Sequence, residues 1–178
     1  MKKLLIKQIV LSGLFIAIGL LLPFLTAQNP VLGKKLLPMH LPVLLCGFVC
    51  GWPYGLIVGF VLPVFRSILF GMPPMFPTAV AMSFELAAYG CLTGLSYKLL
   101  PKKNTYIFVS LIIAMIGGRI VWGAVSYILY GLSKSAFTWQ LFVAGAFLDA
   151  IPGIVLQIII IPIIIFALDR AKLIEDVR

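Results

Sequence analysis

Acidic side chains are scarce in this chain. It holds five Asp and Glu in 178 residues, and charged residues of both signs make only 11% of it. A soluble domain of this size carries about 25% charged residues, so an ordinary water-facing surface is excluded. There is a single histidine, His40. That excludes paired-histidine metal sets, and no serine stands beside a base as a nucleophile would, so an intramembrane enzyme is not expected. The three cysteines, Cys46, Cys50 and Cys91, are an odd number and fall within apolar segments. Cys46 and Cys50 are four apart and share a helix face, but with no His or Asp near them they read as small core residues rather than metal ligands. The GKK at 33–35 lacks the upstream glycine spacing and following Ser or Thr of a phosphate-binding loop, so ATP hydrolysis by that device is excluded. Long soluble domains, low-complexity tracts and internal repeats are also missing.

What the chain has in abundance is apolar surface. It is 62% hydrophobic, with a mean hydropathy of +1.17. One water-soluble core cannot hide that many apolar side chains, so the solvent for most of the chain is lipid. Each crossing needs roughly 20 apolar residues, and the pattern gives six: about 4–26, 38–51, 53–70, 77–99, 105–131 and 138–168. The expected fold is an all-α membrane protein, one transmembrane domain over 1–178, with the second span short. The first span shares its basic start with a signal peptide. Its apolar stretch is too long and no A-x-A site follows, so it is expected to be retained. The segment 27–37 reads as an irregular connector, with Asn-Pro and Gly as breakers.

The net charge of +9 would suit nucleic acid in a soluble protein. Here the basic residues gather between spans, which is the pattern of cytoplasmic loops, and no nucleic-acid partner is expected. With both termini inside, Lys2, Lys3, Lys7, Lys98, Lys102, Lys103, Arg170, Lys172 and Arg178 are cytoplasmic, and only Lys34, Lys35 and Lys134 are outside. The expectation is N-in and C-in, with the 27–37 connector, GMPPMFP (71–77) and GLSKSAF (131–137) on the outer face.

Four charges remain inside the spans: Arg66, Glu85, Arg119 and Asp149. Each costs a few kcal/mol in hydrocarbon and must face protein, partner or a wet cavity. At 1.5 Å per residue, Arg119 and Asp149 both lie roughly 16–18 Å below the outer ends of spans five and six. Glu85 lies roughly 12 Å below the start of span four, and Arg66, about a turn from an outer end, could snorkel outward. Arg119 and Asp149 therefore suit either an ion pair locking two helices or a ligand cavity. In span five Arg119, Trp122, Ser126 and Tyr130 share one face, and in span four Glu85 and Tyr89 do, with Ser83 beside them. Trp139, Gln140 and Asp149 occupy the outer half of span six. An aromatic wall with a few polar anchors is the usual form of a small-molecule site; Trp139 and Tyr130 equally suit an interfacial aromatic belt. The candidate ligand residues are Arg119, Trp122, Glu85, Tyr89, Asp149, Ser126, Asn29, His40, Arg66, Trp139 and Gln140. His40, between Pro38 and Pro42, reads as a first-turn residue near the outer surface, bonded to the connector or touching ligand. Spans one to three are smoother, with small-xxx-small pairs at Gly13/Ala17 and Gly55/Gly59.

This layout resembles the substrate-binding S components of energy-coupling factor vitamin transporters. Their first helix usually carries an A-x-x-x-A motif, and the matching positions in GLFIA are Gly13 and Ala17, with glycine in place of the first alanine. LLPMHLPVLLCGFVCGWPYGLIVGFV (36–61), with Gly47 and Gly51, is similar to that family's second and third helices, and FGMPPMFPTAVAMSFELAAYG (70–90) to its third loop and fourth helix. The resemblance implies a high-affinity vitamin pocket made by helices four to six and the outer loops. It also implies a transmembrane coupling subunit docked at Gly13 and Ala17, and two cytosolic ATPases that drive toppling in the membrane. The protein would be a multi-pass protein of a bacterial or archaeal cell membrane, needing no cofactor. Within the family the pattern looks most like pantothenate-type members. An anionic ligand suits Arg119 or Arg66, and a cationic one suits Glu85, Asp149 and the aromatics. Two other readings are a stand-alone secondary transporter, with Glu85 and Asp149 carrying protons, and a non-transport membrane scaffold.

Overall fold

A computed structural model describes residues 2–26, 29–101, 103–132 and 136–171. Of the basic residues that orient the chain, Lys102, Lys134, Lys172 and Arg178 lie outside the described residues, as do the side chains of Lys2 and Lys3. Among the described residues eight α-helices follow one another: α1 Lys2–Leu21, α2 Pro30–Leu36, α3 His40–Cys50, α4 Trp52–Phe70, α5 Val80–Leu99, α6 Thr105–Leu132, α7 Trp139–Val143 and α8 Ile151–Arg170. No strand occurs among the described residues. Among the described residues the helices make six stretches long and apolar enough to cross a membrane: Leu5–Thr26, Val31–Cys50, Trp52–Phe70, Met75–Leu99, Thr105–Leu132 and Trp139–Arg170. The six-span, all-helical expectation holds.

Two of the spans are broken. The connector expected to be irregular is helical over Pro30–Leu36, and it extends span two to full length. Asn29 starts this piece as its N-cap, its Oδ1 accepting from Val31 N at 2.9 Å and Leu32 N at 3.4 Å. Pro30 fills the first turn, where its missing N–H is not needed. Leu37 ends the piece in a left-handed conformation, φ 50°, at a cost of about 1–2 kcal/mol for a residue with a Cβ. Three bonds hold it: its N–H to Gly33 O at 3.0 Å, and its carbonyl accepting from His40 N at 3.1 Å and Gln157 Nε2 at 3.5 Å. The α8 helix receives the break at Gly153, where a Cβ would come within 2.7 Å of the Lys35 carbonyl oxygen. Span six is broken as well, by a widened turn at Ala144–Leu148 between α7 and α8.

The bundle is arranged around α5, which packs on α4, α6 and α3, while α1 lies across α3 and α4, and α8 across α2 and α3. All of α3 except Leu41 is buried, as expected of a helix apolar on every side. Glycines set the spacing at the centre. A Cβ on Gly55 would meet the Gly90 carbonyl oxygen at 2.5 Å, and one on Gly47 would meet the same oxygen at 2.6 Å. Only hydrogen fits between these backbones. The result is a seam of direct backbone contact in which dispersion replaces the hydrophobic effect, absent between helices in lipid.

Candidate functional site

Two of the helices joined by that seam, α3 and α5, and their neighbour α6 carry a buried polar cluster. Glu85 and Tyr89, one turn apart on α5, face α6 and the N-terminal turn of α3. Arg119 Nη1 donates to Glu85 Oε1 at 2.8 Å, and both side chains are almost wholly enclosed, 5% and 2% exposed. His40 Nε2 lies 3.3 Å from the same oxygen. An ionised carboxylate only accepts, so the imidazole donates through Nε2. The His40 ring meets the Tyr89 ring edge to face, centroids 5.1 Å apart. Gly118, beside Arg119, leaves the space into which the Tyr89 ring fits; a Cβ there would stand 2.6 Å from Cε2.

The cluster is only half satisfied. Arg119 Nε and Nη2, His40 Nδ1 and Ser126 Oγ are buried without a hydrogen-bond partner. Native proteins hold few such atoms, and each costs about 1–3 kcal/mol. Other hydroxyls in the bundle bond back one turn, as Ser83 Oγ does to Ala79 O (2.8 Å) and Thr93 Oγ1 to Tyr89 O (2.6 Å). Ser126 does not.

Above Arg119 on the same face, Trp122 stacks on Phe142 with centroids 6.3 Å apart and meets Phe137 edge-on at 5.8 Å. Its ring tip fills the notch left by Gly145. Trp122 thus joins α6 to the N-terminal half of span six. A groove of about 370 Å³ runs along the neighbouring face of α6 and α7, lined by Ile120, Gly123, Tyr127, Phe137 and Trp139 among others. It is apolar and holds none of the cluster's charged groups.

Of the candidates from sequence, the structure thus brings together His40, Glu85, Tyr89 and Arg119, with Trp122 and Ser126 along the same face of α6. It sets the others apart. Asp149 is exposed at the start of α8 and makes no pair with Arg119, whose partner is Glu85; the Arg119–Asp149 lock is not formed. The reason is rotation, because the break at Ala144–Leu148 turns Asp149 out of the bundle. Arg66 does not snorkel outward. It is 2% exposed, donates from Nη1 to Leu20 O, and lies over the rings of Phe24 and Phe70, 5.2 Å from each centroid. Asn29 is exposed and engaged as a cap, and Trp139 and Gln140 are exposed on α7. His40 is not at the outer surface but 2% exposed, with Glu85 as its side-chain partner; only its backbone N–H reaches the connector. Gln157, Gly118 and Gly90 were not singled out from sequence. An amide in the apolar run IPGIVLQIII was the available signal for the first, and GCLTG in span four for the last.

The sequence model of a family described as ECF transporter, substrate-specific component, matches residues 7–165. No curated protein and no solved structure matches the chain.

Proposed function

The chain belongs to the family of substrate-specific components of ECF (energy-coupling factor) transporters, and from that premise we propose that it is the high-affinity vitamin-binding subunit of an importer in a bacterial or archaeal cell membrane. Its ligand is a small water-soluble vitamin, with pantothenate the first candidate. The whole chain forms one transmembrane domain with both termini inside. Two cytosolic ATPases supply the energy, and a transmembrane coupling subunit docks on α1 at Gly13 and Ala17. The observation that carries the binding role is the half-satisfied cluster of Glu85, Arg119, His40 and Ser126 inside the bundle. Such a cluster is costly for a scaffold and useful to a receptor, because a ligand supplies the missing partners. Trp122 and Tyr89 are its aromatic walls. Arg66, Asn29, Asp149, Trp139 and Gln140, which lie outside the cluster, act in ligand capture only if the outer segments fold over it.

The test is to purify the chain with its membrane partners and read the bound small molecule by mass spectrometry, then measure ATP-dependent vitamin uptake in vesicles. A vitamin that survives purification and stabilises the chain on re-addition supports the reading. Uptake by the chain alone, without ATP or partners, would instead favour the stand-alone transporter.

A further inference from the structure

We infer that the molecule taken up by this chain carries a carboxylate, held by the Nε–Nη2 edge of Arg119, and a second hydrogen-bonding group near Ser126. The inference rests on the vitamin-binding reading and narrows it to one chemical class.

Glu85 engages Arg119 through Nη1 alone, at 2.8 Å. The two nitrogens left without a partner, Nε and Nη2, are the adjacent pair that forms one side of the guanidinium fork. That side presents two parallel N–H groups, the geometry that matches the two oxygens of a carboxylate. Glu85 Oε1 is divided between Arg119 and His40, which fixes the guanidinium through Nη1 and leaves Nε and Nη2 buried and unpaired beside Tyr89. The bundle's second buried arginine behaves differently: Arg66 is closed off by a backbone carbonyl and two aromatic rings. A cationic ligand gains less at this cluster, because the charge of its one carboxylate is already balanced by Arg119.

The length of the ligand follows from α6. Ser126 is seven residues from Arg119, two turns later on the same face and about 10 Å along the axis. Its hydroxyl is buried and unpaired. Ser110 Oγ is also unpaired, but nine residues in the other direction put it on the opposite face of the helix. Trp122 stands between Arg119 and Ser126. The molecule that satisfies this strip has a carboxylate at one end, an apolar middle, and a hydroxyl, amide or ring heteroatom about 10 Å away.

The experiment compares acids with their uncharged twins on the full chain in lipid nanodiscs, by calorimetry and thermal shift. The probes are pantothenate with panthenol, biotin with its amide, and nicotinate with nicotinamide, beside thiamine, riboflavin and pyridoxine. Pantothenate or biotin, the two acids long enough to reach Ser126, is expected to bind at least ~100-fold more tightly than its twin, as sites built around a specific polar contact discriminate; nicotinate is the short control. Because R119Q alone strands Glu85 and can prevent folding, the neutral double variant Glu85→Gln/Arg119→Gln is used, and it should lose that preference. Ser126→Ala should weaken the acid by ~10-fold, the effect of one hydrogen bond, and leave the acid-to-twin ratio unchanged. Equal binding of acid and twin overturns the inference, as does an acid whose affinity the double variant leaves intact. Tight binding of thiamine, riboflavin or pyridoxine overturns it while the vitamin reading stands. If none of the nine probes binds, the vitamin reading falls and takes this inference with it.

Discussion

At the scale of single residues, the molecule shows how charge survives inside an apolar bundle. Arg119 and Glu85 neutralise each other, and removing one partner strands the other where water cannot reach. Arg119→Leu or Glu85→Leu alone should therefore cost about 3–5 kcal/mol, while the double variant should cost far less than the sum. Unfolding of all three in mixed micelles completes the cycle, and strictly additive losses would show that the two groups do not act as a pair. Arg66 answers a different need. Pro23, in the 3-10 turn Leu22–Thr26 that continues α1, has no N–H to offer the Leu20 carbonyl three residues back. The Arg66 guanidinium supplies that donor from α4. Arg66→Met should keep much of the stem packing yet lose about 1–3 kcal/mol for the stranded carbonyl, read as a lower Tm in detergent. Sequence told which of these side chains needed partners, since the cost of a charge in hydrocarbon is independent of fold. It did not tell who the partners were: Asp149 and Glu85 have the same chemistry, counting residues along the spans put Asp149 rather than Glu85 level with Arg119, and the rotation of each helix then chose Glu85.

At the scale of elements, glycine does two opposite things. In α4 and α5 it is the contact surface itself, and in α2 it is merely a weak helix former. Gly90→Ala should open the α4–α5 seam, because the added methyl meets the backbone carbonyl of Gly55; overpacking of this kind costs about 1–3 kcal/mol. Gly33→Ala, with nothing within 4 Å of its Cβ, should instead stabilise by up to about 1 kcal/mol through helix propensity. Thermal melts of the two variants should move in opposite directions, and a shared direction would refute the distinction. The six spans themselves were legible because twenty-residue apolar runs have few other uses. The breaks were legible only in part. Asn29-Pro30 is an N-cap followed by an N1 proline, a start signal that also reads as a breaker when the following VLGKKL looks polar. The break in span six has no proline before it and only Gly145 within it. There the bundle, through Trp122 packing into the glycine notch, decides what local propensity leaves open.

At the scale of the whole molecule, the two small-xxx-small pairs seen in sequence part company. Gly55 and Gly59 are consumed inside the fold against α5. Gly13 and Ala17 are exposed on α1, and a Cβ at Gly13 would meet nothing within 4 Å. They share their face of the helix with Ile6, Val10 and Leu14, each more than half exposed. Lipid alone does not require a glycine there, since a larger apolar side chain would serve as well and favour the helix more. Close approach of another helix does require it. On the isolated chain Ala17→Leu should therefore change stability by no more than about 0.5 kcal/mol, as surface changes do, Gly13→Leu should stabilise by up to about 1 kcal/mol through helix propensity, and both should leave vitamin affinity unaltered. The same variants should fail to co-purify with the coupling subunit and the ATPases, and uptake in reconstituted vesicles should drop with assembly. Both halves are needed: a variant that loses stability as well as assembly would place these residues inside the fold. A variant that assembles and transports normally would move the docking face away from α1.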